Sequence, residues 1–170
     1  MYACSECGFG HRLDEAADVP ARLRADTAAL ADLVRAAGVA VTTRPAAETW
    51  SPLEYACHVR DVLLTKREQV IEALLAGDED DPPEARTMHR DERVLLEGYA
   101  ESDPVTVDRQ LRDAAELLAS VLERVPPTAW DARLRYGWPT EAVRDLRWLA
   151  VHTWHEVRHH MRDVAAQLER

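Results

Sequence analysis

The sequence predicts an all-α protein, a four-helix bundle preceded by a short CxxC knuckle. Three features lead there. Apolar residues recur every three or four positions through long segments, and helix-start punctuation, a capping side chain followed by proline, stands at Ser51-Pro52 and Asp103-Pro104. Strand-length runs of β-branched residues bounded by turns are all but missing, Val39 to Thr43 being the single candidate.

The elements follow in order. Cys4-Ser5-Glu6-Cys7-Gly8 opens the chain, in a segment (residues 1–17) read as separate from the bundle (residues 18–170). Leu23, Leu30, Val34 and Ala37 mark a first helix from about Pro20 to Ala37, with Gly38 beyond its end. In the second, from Pro52 to Ala76, Ser51 is the N-cap, proline takes the first helical position, and Glu54 closes a capping box. Gly77, the acidic stretch Asp78 to Asp81 and Pro82-Pro83 stop it. A shorter helical piece covers roughly His89 to Tyr99. After Asp103-Pro104, Val107, Leu111, Ala114, Leu118, Val121 and Val125 form the stripe of a third long helix, which ends before Pro126-Pro127. Thr140 can cap a last helix that continues to about Leu168. Such bundles hold metals and cofactors between facing helices, so inward-pointing polar residues matter most.

Composition narrows the function. The 170 residues contain 21 Lys plus Arg against 31 Asp plus Glu, a formal charge of −10, and no basic block. That balance argues against gripping nucleic acid or an anionic membrane. No apolar run reaches the roughly 18 to 20 residues that span a bilayer, and the N-terminus lacks the apolar stretch of a secretory signal, so a cytoplasmic protein is expected. Lys66 is the one lysine among the 21 basic residues, a compositional bias to which the sequence attaches no mechanism.

Two places carry chemistry. Cys4 and Cys7 have the spacing of a zinc knuckle, with Gly8 to turn the backbone and His11 as a third candidate ligand for a structural zinc; a redox dithiol or a plain reduced tail are the other readings. The second place is the C-terminal segment, where His152, His155, His159 and His160 fall within nine residues. At about 100° per residue, Leu146, Leu149, Ala150, Thr153, Val157, Met161, Val164 and Leu168 share the stripe expected to face the core. Glu156 and His160 lie along its edge, while His155 and His159 lie nearly opposite, with Trp148 and Val151. Either pair, four residues apart, can share an ion. The stripe favours Glu156 and His160, and a helix packed on two sides would bury both pairs. His58, on a mostly apolar face of the second helix, is the candidate third ligand. The string His155-Glu156-Val157-Arg158-His159 is also a literal HExxH, but a metalloprotease needs a further ligand downstream and only eleven residues follow.

At these residues the sequence resembles the DinB/YfiT-like metalloproteins, a family that includes mycothiol-dependent maleylpyruvate isomerases and bacterial thiol S-transferases. The likeness is carried by Trp50-Ser51-Pro52-Leu53-Glu54-Tyr55-Ala56-Cys57-His58-Val59 and by His159-His160-Met161-Arg162-Asp163-Val164. It covers nearly the whole chain except the CxxC tip. The resemblance implies one divalent ion held by a histidine of the second helix and two residues four apart on the last; two imidazoles and one carboxylate suit zinc, nickel or iron, zinc or nickel first. Carried onto this chain, those ligands are His58, Glu156 and His160, with His155 and His159 as the alternative register and Asp163 orienting a ligand.

The leading expectation is therefore a metal-dependent thiol S-transferase or isomerase, or a hydrolase, acting on a small electrophilic molecule. His152 is a candidate proton carrier, and Arg144, Arg147, Arg158 and Arg162 can receive the carboxylates of a low-molecular-weight thiol; for each, a solvated side chain is the plainer reading. The competing expectation is a non-catalytic metal-binding stress or interaction module with a structural zinc knuckle. A homodimer is compatible with Trp130, Trp138, Trp148 and Trp154 in the C-terminal half.

Overall fold

In a computed structural model, which describes residues 3–77, 81–137 and 140–169, five helices are α1 (Val19–Ala36), α2 (Pro52–Ala76), the short α3 (Arg90–Leu96), α4 (Pro104–Leu122) and α5 (Leu146–Leu168). The four long ones form the bundle. Both α4 and α5 pack against α1 and α2, while α1 and α2 lie diagonally across from each other. The α1–α2 and α4–α5 connections therefore cross the bundle, whereas α2 and α4 are neighbours.

The capping box is present as its sequence signature predicts. The Glu54 amide donates to the Ser51 hydroxyl, and the Ser51 amide donates to the Glu54 carboxylate at 2.9 Å. Glu54 is buried and also accepts from Arg44 Nε at 2.8 Å, so the start of α2 is tied to the preceding loop. Asp103 caps α4 by accepting the Thr106 amide. Leu23, Leu30, Leu53, Leu63, Leu111, Leu118, Leu146 and Leu149 fill the space between the helices without solvent exposure, each worth about 1.5–3 kcal/mol against an exposed side chain.

Three local expectations need correction. Gly38–Thr42 is a 3-10 turn and not a strand. The last helix begins at Leu146, where Asp145 accepts the Trp148 amide at 2.7 Å, and not at Thr140. Between α4 and α5 the chain forms a hairpin, β1 (Arg133–Tyr136) paired antiparallel with β2 (Ala142–Asp145). Its strands are too short and too charged to register as a sequence pattern, and Leu134 alone is fully buried in them. The loop before α3 joins this hairpin: Ala85 N–H donates to the Arg135 carbonyl and Arg135 N–H to the Pro83 carbonyl, both at 2.8 Å. Trp138 and Asp78 to Asp80, singled out above, lie outside the described residues.

Helix α5 is covered on two sides. Leu149, Ala150, Thr153, Val157 and Val164 face the bundle, and Met161 and Leu168 are half-buried at its margin. The opposite face is covered by the N-terminal arm: Phe9 packs edge-on against Trp154 at 4.8 Å and lies 5.2 Å from His155, and the 3-10 turn Leu13–Asp18 rests on the helix. Val151, His152 and His155 are buried as a result. Among the described residues, no helix is long and apolar enough to cross a membrane.

Candidate metal centre

Two offset i, i+4 pairs on α5 meet different partners. Glu156 and His160 face α2, where ligand atoms of His58, Glu156 and His160 all lie within 4.8 Å of one another. His155 and His159 face the arm, and their nitrogens lie within the same distance of the Cys4 and Cys7 thiols. The HExxH string is thus split between two groups, its glutamate falling with His58 and His160 and its histidines with Cys4 and Cys7. The zinc-protease arrangement, in which all three serve one ion, is not formed.

His58 is 4 % exposed, and its Nδ1 is buried without a hydrogen-bond partner. Its ring stands edge-on to His160, centroids 4.8 Å apart, and Trp50 covers it at 5.1 Å. Burial, reinforced by His160, pushes the imidazole down to about 3, so it is neutral and its lone pair is available. His160 Nδ1 donates to Asp163 Oδ2 at 3.0 Å, which leaves Nε2 turned toward Glu156 Oε2, 4.0 Å away. This carboxylate fixes the ring in the way expected of a ligand-orienting partner. Burial works to raise the Glu156 carboxyl, but His155 and the nearby His152 and His160 outweigh it and hold the group ionised well below the usual carboxylate range.

The group opens into a cavity of about 850 Å³ bounded by α2, α5, the loop before α3, the hairpin and the Cys4-Ser5-Glu6 tip. In its wall stands Lys66, 5 % exposed, donating to Gln69 Oε1 at 3.2 Å and to the Tyr136 hydroxyl. Burial pushes its amine down to about 7, with Glu156 opposing. The sequence reading assigned this lysine nothing. The signal that finds it is periodic: His58, Val62, Thr65, Lys66 and Gln69 lie on one face of α2, and all line the cavity.

The remaining candidates fall as follows. His152 is buried, stacked on Trp148 at 4.4 Å, with Nδ1 3.4 Å from His11 Nε2 and Nε2 3.7 Å from Glu156 Oε1. It is not a solvated surface group. His11, expected beside Cys4 and Cys7, is grouped with His152 and His155 rather than with the two cysteines. None of the four arginines proposed for α5 and its approach lines the cavity: Arg144 lies over Trp148, Arg147 pairs with Asp131, Arg158 with Asp26, and Arg162 donates to the Glu6 carbonyl. Arg86 of the loop before α3, Arg90 at the start of α3 and Arg135 of β1 line it instead.

Comparison with known proteins gives two matches of different kinds. The sequence profile of the DinB superfamily matches residues 21–164. A solved structure, YfiT from Bacillus subtilis, described as "a probable metal-dependent hydrolase with an unusual four-helix bundle topology", superimposes with a TM-score of 0.70 at 14% identity, over 98% of this chain and 91% of that one. At that identity the likeness shows the fold. No curated protein sequence matches the chain.

Proposed function

The chain belongs to the DinB superfamily, and from that premise we propose that it is a metal-dependent enzyme acting on a small electrophilic molecule, with His58, Glu156 and His160 as the ligands of one divalent ion. The observation that carries this reading is the buried His58, neutral and with an unpartnered Nδ1, pressed against an ionised glutamate and a carboxylate-oriented histidine at the head of a cavity. Two imidazoles and one carboxylate suit zinc or nickel and leave coordination positions free. When bound, such an ion supplies a nucleophile at neutral pH by acidifying the water or thiol it holds.

The chain's own groups do the rest. Asp163 keeps His160 in one tautomer. His152, buried and held neutral near 3 by its burial, faces Glu156 and serves to position it rather than to exchange protons with solvent. Lys66 is the proton carrier: an amine poised about 7 can hold or release a proton at Nζ, with Tyr136 and Gln69 fixing its direction. Arg86, Arg90 and Arg135 line the cavity together with Glu6, Glu84, Asp91 and Glu141, and each arginine is paired with a carboxylate, so the rim carries both signs. Transfer of a low-molecular-weight thiol, which the family resemblance implies, and transfer to water are the two outcomes the same centre would allow.

The test is a metal inventory on purified protein reloaded with Zn²⁺ or Ni²⁺. His58→Ala and His160→Ala are each expected to lose one equivalent relative to wild type while keeping the helical circular dichroism, and His89→Ala to lose none. Full metal content in both of the first two variants would overturn the assignment.

A further inference from the structure

We propose that Cys4, Cys7, His155 and His159 form a second, structural zinc site that clamps the N-terminal arm onto α5. Nothing in this proposal depends on the centre at His58, with which it shares no ligand. The donor atoms of all four residues lie within 4.8 Å of one another, and both cysteines are free thiols. The arm presents the two sulfurs together because the chain folds back on itself. Cys4 N–H donates to the Phe9 carbonyl and Gly8 N–H to the Cys4 carbonyl, each at 2.9 Å, and Gly8 turns at φ +74°.

His155 supplies an independent observation. It is 5 % exposed, and neither ring nitrogen makes a hydrogen bond, the nearest carboxylate oxygen, of Glu156, being 3.5 Å from Nδ1. A buried imidazole with both nitrogens unsatisfied is unfavourable unless something else claims a lone pair. A cation shared with the two sulfurs does so. His159 is oriented for the same role: Nδ1 lies 3.9 Å from Cys4 Sγ while Nε2 faces Glu6 Oε2 at 3.4 Å. A carboxylate behind the outer nitrogen is the usual support of a zinc-ligating histidine.

The donor set selects the ion and the role. Two thiolates and two imidazoles make a closed tetrahedral site, which favours zinc over harder cations and keeps no position for substrate. The two thiolate charges cancel those of the ion, so the site can sit against the buried face of α5 without an unpaired charge. The competing group, His11 with His152 and His155, offers neutral donors only, and its first two members already pair with each other at 3.4 Å. Cys4, Ser5 and Glu6 form part of the cavity wall, so the clamp also fixes one side of the pocket.

The experiment uses the full chain, reduced, stripped with chelator and titrated with Co²⁺ and then Zn²⁺. Wild type should show the near-ultraviolet thiolate-to-cobalt charge-transfer band and take up one equivalent more zinc than Cys4→Ser/Cys7→Ser, which should lack the band. His58→Ala should keep the band while losing the other equivalent, so failure of one site is distinguishable from failure of the other. A reading that needs no variant is the rate at which a thiol reagent modifies Cys4 and Cys7 in wild type, which zinc should slow at least tenfold. No charge-transfer band at saturating Co²⁺, undiminished zinc in the double cysteine variant, or equal labelling rates with and without zinc would each overturn the proposal.

Discussion

Replacing Lys66 with methionine tests the assignment of a neutral amine in the cavity wall. The side chains are close in length, and the pH-independent cost is that of leaving Gln69 Oε1 and the Tyr136 hydroxyl without their donor, about 1–3 kcal/mol. The diagnostic part depends on pH. An unfolded lysine titrates at its ordinary value near 10.5, and burial brings the folded one down to about 7. Between those values the unfolded chain carries a proton that the folded chain does not, so stability rises with pH across that window and levels off on either side. A gap of that size at about 1.4 kcal/mol per pH unit corresponds to roughly 5 kcal/mol in full. The variant has no such slope. Urea unfolding of both proteins in chelator at pH 7, 8.5 and 10 should therefore show wild type gaining on Lys66→Met by up to about 1.4 kcal/mol per pH unit, roughly 0.5–1 M in urea midpoint. A difference that stays constant with pH would mean that the folded amine keeps its proton, and the role of Lys66 as a proton carrier at neutral pH would fall with it.

Two further predictions concern the frame around the site. Glu54→Ala removes the carboxylate that closes the capping box and receives Arg44; since Arg44 is itself 40% exposed, the expected loss is about 2 kcal/mol, or roughly 4–8 °C in Tm by calorimetry, and a change under 1 °C would count against the cap as an anchor of α2. Tyr99→Phe removes the buried hydroxyl that donates to Asp61; Arg60 Nε stays on that carboxylate at 2.7 Å, so urea unfolding should show a loss of about 1 kcal/mol, and a loss above about 3 kcal/mol would mean that Tyr99 holds Asp61 on its own.

The long helices were legible because their signals are local. Ser51-Pro52-Leu53-Glu54 carries its cap and its first turn in four residues, and the alternation from Val107 to Leu118 needs no partner to be read. For the site, the α5 stripe favoured Glu156 and His160 without excluding His155 and His159, and the structure brings each pair together with donors of its own. What escaped depends on contacts distant in sequence. Arg133-Leu134-Arg135-Tyr136 becomes a strand by pairing with residues 142–145 and with the loop at Pro83 to Ala85. Lys66 acquires its lowered amine from burial, to which the hairpin's Tyr136, some 70 positions away, contributes a covering ring, and a surface lysine would look the same in sequence.

The duplication of i, i+4 pairs on α5, which left the ligand register undecided in sequence, has a structural counterpart in the arm. Positions 155 and 159 are rotated by about 100° from 156 and 160, so the two pairs cannot serve one ion from a straight helix. With the arm absent, the outer pair would lie on the solvent face and the HExxH string would have no competitor for its histidines. With Phe9 seated on Trp154, that face becomes an interface, and the soft sulfurs of Cys4 and Cys7 stand opposite His155 and His159, while the imidazole of His58 stands opposite Glu156 and His160. Each pair thus meets donors of a different chemical kind, and Asp163, 3.0 Å from His160 and 3.7 Å from His159, lies between the two groups. Asp163→Asn should accordingly weaken both of the proposed sites, whereas substitution of any ligand should weaken one.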